Sequence, residues 1–250
     1  MRTTPLSAAA VLMAAACIAL VAHAPTSNAQ PAPTTPVRTV LGLTSLPSVI
    51  EAPLFFRLSK VELPAAKSTN YLGPVGFIYV LSGSLTAQVD ATQQPLRPGD
   101  ALLVVAGKIH SLSAAEAEPA VFLHYVLARS AELAQAEEQQ PAVVTELYRT
   151  GEPIPDLKPG PYEFTLTRVT FPARMPPNVP HYRSGAALYY VLAGSGTFIA
   201  DGKTESRETG MPHFEPHGWA HQWGNAGEPP LVLLQANISE EGVPAVILVE

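Results

Sequence analysis

A chain of 250 residues has room for one large domain or two small ones. With 47% apolar and 14% charged residues it suits a globular protein with a sizeable core, and a net charge of −6 without a long Lys/Arg run excludes nucleic acid as an expected partner. Twenty-six prolines and 17 glycines point to many turns and little helix.

The first thirty residues have their own composition. Arg2 is the only charged residue before Arg38, and Leu6 to Ala24 is almost wholly apolar and alanine-rich. A positive start, an apolar run and small residues at its end describe a secretory signal peptide spanning residues 1–29, with cleavage after Ser27-Asn28-Ala29. Two alternatives stay open: an uncleaved anchor, since the run approaches the ~20 residues that span a bilayer, and a lipid-modified Cys17. Cleavage would remove Arg2 and Cys17, taking the net charge from −6 to −7 and leaving no cysteine for disulfides or thiolate chemistry. The expected location is periplasmic or secreted, with no membrane contact after cleavage. Residues 30–47, rich in Pro, Thr and Ala, read as a loose linker.

Downstream, short alternating segments are predicted as strands over Pro53–Leu63, Gly76–Val89, Ala101–Val105 and Ala120–Leu127. Residues 130–155 read as a second linker, with a short helix over Ser130–Gln140 ended by Pro141. Strands are then predicted over Tyr162–Phe171, Ala187–Ala200, Pro212–Glu215 and Pro230–Ile238. The two sets repeat. At a shift of 111 residues, Tyr79-Val80-Leu81-Ser82-Gly83-Ser84 falls on Tyr190-Val191-Leu192-Ala193-Gly194-Ser195, and Gly99, Gly107 and His110 fall on Gly210, Gly218 and His221. A repeated set of evenly spaced strands and turns is the pattern of a double-sheet jelly roll. The expected fold is all-β, with one barrel over residues 48–129 and a second over residues 156–250.

The run from Gly210 to Asn225 carries the most information. Gly210, five residues, Pro216-x-Gly218, two residues, His221, three residues and Asn225 resembles the second signature of the cupin superfamily, and the tandem repeat resembles a bicupin. That resemblance implies two double-stranded β-helix barrels and a metal among three histidines and a glutamate. The first signature, His-x-His-x3-Glu-x6-Gly, has its counterpart at His181, Arg183, Ala187 and Gly194, so the spacing survives while two ligands do not. In the first copy Asn70, Leu72 and Gly76 stand at ligand positions and only His110 remains, which marks that barrel as degenerate and structural, although His124 on its last strand could approach His110.

A guanidinium cannot ligate a metal, but it pairs with carboxylates. Period-2 alternation puts His181, Arg183, Ala187 and Tyr189 on one face. The expected function is therefore binding of a small polar or anionic molecule in the C-terminal barrel. In that pocket Arg183 would pair the negative group, neutral His181 and His221 would hydrogen-bond, and Tyr189 with aromatics such as Phe214, Trp219 or Trp223 would line the walls. The alternative from the resemblance is a metal-dependent enzyme of dioxygenase, isomerase or hydrolase type. Zn, Fe, Mn or Ni would then be held by His181 and His221, with His213 as a third ligand if it faces inward. Glu215 reads as a solvated carboxylate at a strand end and His217 as an exposed turn residue. A purely structural or assembly role, with a homodimer formed through sheet edges, is the third reading.

Overall fold

The computed structural model describes residues 35–46, 53–133 and 138–249, so the signal-peptide reading and the lipidation reading of Cys17 lie outside the described residues. In chain order come β1 (Val37–Leu46), β2 (Leu54–Leu63), β3 (Ser68–Tyr71), β4 (Gly76–Ser82), β5 (Leu85–Val89), β6 (Thr92–Leu96), β7 (Ala101–Val104), β8 (His110–Ala114) and β9 (Ala120–Arg129). The single described helix, α1 (Ser130–Leu133), and β10 (Val143–Arg149) follow. The second half contains β11 (Tyr162–Phe171), β12 (His181–Arg183), β13 (Ala186–Ala193), β14 (Ser195–Ala200), β15 (Lys203–Glu208), β16 (Pro212–Glu215), β17 (His221–Gly224), β18 (Leu231–Glu240) and β19 (Val246–Leu248).

These strands make four sheets, two per barrel. The N-terminal barrel closes β10-β2-β9-β4-β7 over β3-β8-β5-β6, and the C-terminal barrel closes β1-β11-β18-β13-β16 over β15-β14-β17-β12-β19. The residues repeated at 111 are the sharp corners of both copies. Gly83 and Gly194, Asp90 and Asp201, Gly99 and Gly210, and Gly107 and Gly218 all have positive φ, a conformation that favours glycine and tolerates aspartate.

Two expectations are corrected here. The stretch taken as a loose linker contains β1, an edge strand of the C-terminal barrel, with Arg38 opposite Val169 and Val40 opposite Thr167 on β11. The second linker contains β10, which pairs with β2 of the N-terminal barrel. Its described helix covers Ser130–Leu133, and residues 138–140 lie outside any helix. Each barrel is thus completed by a strand from the connector before the other. Proline and threonine obscured β1 in composition, and pairing across so long a loop leaves no local signature.

Three apolar clusters follow from the alternation. On β9, Ala120, Phe122, Val126 and Ala128 fill the N-terminal barrel, while Leu123, Tyr125 and Leu127 point the other way. On β18, Leu231 and Leu233 fill the C-terminal barrel while Leu234, Ala236 and Ile238 point outward. The two outward faces pack on each other, with the Phe77 and Phe164 rings 4.8 Å apart and Tyr125 Oη donating to Leu234 O at 3.3 Å. Both central strands are therefore covered on both faces, which explains their near-continuous burial.

Candidate ligand site in the C-terminal barrel

Alternation on four strands aims one set of polar side chains into the C-terminal barrel: His181 and Arg183 from β12, Tyr189 from β13, His213 and Glu215 from β16, and His221 and Trp223 from β17. His181 and His221 are direct cross-strand partners with ring centroids 4.4 Å apart. Arg183, 1% exposed, lies inside the barrel.

It does not lie there as a bare cation. Arg183 Nε donates to Glu215 Oε2 at 2.8 Å, and Arg183 Nη2 donates to Tyr189 Oη. Glu215 Oε1 accepts from Trp223 Nε1 at 2.6 Å. The solvated carboxylate expected at position 215 is instead fully buried, because two-residue alternation from His213 turns it inward. Burial alone would push its carboxyl up, but the Arg183 charge, with His221 and Trp223, holds it well below the usual carboxylate range. Arg183 answers in kind: burial works against its charge, and Tyr189 and Glu215 outweigh burial.

The imidazoles are oriented from behind. His181 Nδ1 donates to Val179 O at 2.9 Å and His221 Nδ1 to Trp219 O at 2.8 Å, which turns both Nε2 atoms inward. His221 Nε2 comes within 3.1 Å of Glu215 Oε1 without the alignment of a hydrogen bond, and His181 Nε2 and Arg183 Nη1 have no partner at all. Burial pulls the His181 imidazole down to about 4, with Arg183 and His221 adding to the fall, so His181 is neutral at pH 7. His213 is also buried and pulled down to about 4. Its Nδ1 accepts from Arg207 Nε at 3.2 Å, which in the neutral ring puts the proton on Nε2.

A residue that sequence reasoning did not single out completes the charge pattern. Arg38, on β1, is solvent-accessible, yet its Nη1 donates to Gln235 Oε1 at 3.3 Å, and Gln235 is the cross-strand partner of Tyr189. Its charge is felt together with those of Arg183 and Glu215.

The proposed walls divide. Trp223 is inside and bonded to Glu215, whereas Phe214 faces outward into the apolar layer between the barrels. Trp219 stays near the barrel rim, donating from Nε1 to Asp201 Oδ2 at 3.0 Å. His217 is half-buried, bridged to Arg183 through its backbone. Tyr189 lines the site but spends its hydroxyl on Arg183.

The donor set does not fit a resident transition metal. Only His181 presents a free, correctly turned Nε2 atom; His221 Nε2 faces Glu215 Oε1 at 3.1 Å; both Glu215 oxygens already accept hydrogen bonds; and His213 Nε2 carries its proton. Among the described residues no three His, Cys, Asp or Glu converge as a metal site. A guanidinium at 4 Å would repel a divalent ion by about 8 kcal/mol at an effective dielectric of 20.

Residues 73–126 match the Cupin_2 family, described as a cupin domain. Comparison with curated proteins finds no match. Among solved structures, a mutant of Bacillus subtilis oxalate decarboxylase OxdC is similar over 82% of this chain and 79% of its own, with TM-score 0.55 and 14% identity. AerE from Microcystis aeruginosa is similar over 83% of this chain and 99% of its own, with TM-score 0.54 and 18% identity. A salicylate 1,2-dioxygenase from Pseudaminobacter salicylatoxidans is similar over 74% and 71%, with TM-score 0.51 and 12% identity. At these identities the likeness is one of fold.

Proposed function

For a chain whose fold is two tandem cupin barrels, we propose that the C-terminal barrel binds a small organic molecule carrying one negative group, such as a carboxylate, without a resident metal. The observation that carries this reading is the buried Arg183, which keeps Nη1 unpartnered although its Nε and Nη2 are engaged. Glu215 cancels one positive charge, and Arg38 with Arg183 leaves the site one charge positive. A monoanion is favoured over a dianion on that balance. The ligand would accept a charge-assisted hydrogen bond from Arg183 Nη1 and donate one to His181 Nε2, as a hydroxy acid can.

Export stands with this reading: the apolar leader of residues 1–29 would be removed, leaving a periplasmic or secreted binding protein that begins at Gln30. N-terminal sequencing of protein recovered from its native compartment tests that part.

The test of the binding reading is thermal unfolding with lactate and benzoate as probes. A ligand at 100 times its Kd stabilises by about 2.7 kcal/mol. Stabilisation is expected for the wild type and for Arg174→Ala, which alters an exposed residue paired with Glu228, and is expected to vanish in Arg183→Met and weaken in Arg38→Ala. Stabilisation that survives Arg183→Met contradicts the assignment.

A further inference from the structure

The N-terminal barrel holds a second buried polar cluster, built from residues outside either signature. His124 on β9 shares the inward face with Phe122 and Val126. Its Nδ1 donates to Glu138 Oε1 at 2.7 Å, with the two side chains 1% and 0% exposed. A neutral imidazole held this way carries its lone pair on Nε2. His124 Nε2 has no partner, nor does Glu138 Oε2, nor the Oγ of Ser59, the direct cross-strand partner of His124 on β2. Leaving a buried polar atom unmet is costly, so three in one barrel are a strong reason for a partner molecule.

The surroundings give His124 Nε2 no polar partner of their own. The Tyr71 ring packs edge-on against His124 with centroids 4.5 Å apart. Position 76, where the signature would place a glutamate, is glycine, and a Cβ there would meet His124 Nε2 at 3.0 Å. Arg57, also buried in this barrel, donates from Nη1 to Leu133 O at 3.0 Å. Its positive charge and the negative charges of Glu138 and Glu132 are all felt at Tyr71, so a further anion is disfavoured in this barrel. At the shift of 111, Gln235 stands where His124 does, and its β11 partner Thr167, 108 residues after Ser59, takes the place that Ser59 has beside His124. Both barrels therefore place a polar pair here, but only the N-terminal one backs an imidazole with a carboxylate.

We propose that the N-terminal barrel is a second binding site, separate from the Arg183 site, for a small neutral hydroxyl compound. One hydroxyl donates to His124 Nε2, a second donates to Glu138 Oε2, and Ser59 Oγ contacts the pair. A vicinal diol offers the two hydroxyl donors that these acceptors call for, whereas a carboxylate would meet the Glu138 charge.

The experiment is titration of the full chain with ethylene glycol and, separately, acetate, read by the imidazole resonances of 15N-labelled histidines. His124 is expected to show the Nδ1–H tautomer and a saturable shift with ethylene glycol but not with acetate. Binding should weaken at least tenfold in His124→Gln, the residue of the sister barrel, read there at the backbone amide of Ser59 because the imidazole reporter is gone, and persist in Arg183→Met. Should His124→Gln not fold, Ser59→Ala gives the same comparison. The absence of a saturable glycol shift, a shift that both variants leave intact, or a buried water that glycol never displaces would each overturn the proposal.

Discussion

Ala187 on β13 and Glu215 on β16 are direct cross-strand partners. The carboxylate missing from the first-signature position of the C-terminal barrel is thus supplied from the neighbouring strand, where it neutralises Arg183 instead of an ion. Removing one partner of such a buried pair leaves an uncompensated charge, at about 3–5 kcal/mol. Glu215→Gln and Arg183→Met should each lower unfolding free energy by that order, while the double variant loses clearly less than the sum. Urea denaturation of all four proteins at pH 7 measures the coupling.

Acid should unfold the protein earlier than its surface charge implies. His181 and His213 are pulled down to about 4, so between pH 6.5 and 4 the unfolded chain binds protons that the folded chain refuses. Their contribution is complete above pH 6.5 and is lost as pH falls, up to about 3 kcal/mol each at 1.36 kcal/mol per unit. Glu215, depressed by Arg183, adds a second loss below the ordinary carboxylate range. Stability measured from pH 7.5 to 4 should therefore fall steeply, and His181→Gln should flatten the curve while leaving its acid end intact.

Metal affinity should be recoverable by one substitution. Arg183→His removes the repelling charge, frees Glu215 and places a third imidazole beside His181 and His221. The variant is expected to bind Zn(II) or Mn(II) stoichiometrically, measured by elemental analysis after dialysis, and a further His221→Ala should abolish that gain.

Asn225, the last anchor of the second signature, acts on the backbone and touches none of the ligand groups. Its Nδ2 donates to Pro172 O at 3.0 Å and Pro229 O at 2.9 Å, and its Oδ1 accepts from Gly227 N at 2.9 Å. Asn225→Asp removes the donors and aims a carboxylate at carbonyls, with an expected loss of about 1–3 kcal/mol and no change in ligand specificity. Differential scanning calorimetry with and without lactate checks both halves.

What was legible in the sequence was whatever depends on local conformation. The 111-residue repeat is visible because turn corners need glycine or aspartate at positive φ, and signature spacing puts His181, Arg183 and His221 on facing strands. Glu215 was misread because alternation gives a face but not a pairing register, and only the register sets it opposite Ala187. The connector strands β1 and β10 escaped notice for a related reason: the partner of β1 lies beyond the whole N-terminal barrel, and that of β10 is the first strand of the barrel it follows. Arg38 was hidden with β1. Glu138 was hidden because nothing in its own neighbourhood announces His124 as its partner.

The central claim is that the C-terminal barrel carries a built-in cation and accepts an anion in place of a metal. Calorimetric titration of a single dialysed preparation at pH 7 with lactate, and then with Mn(II), tests it most directly. The account requires saturable heat from lactate that disappears in Arg183→Met, and none from Mn(II); saturable Mn(II) binding that disappears in His181→Ala and His221→Ala, with no heat from lactate, would contradict it.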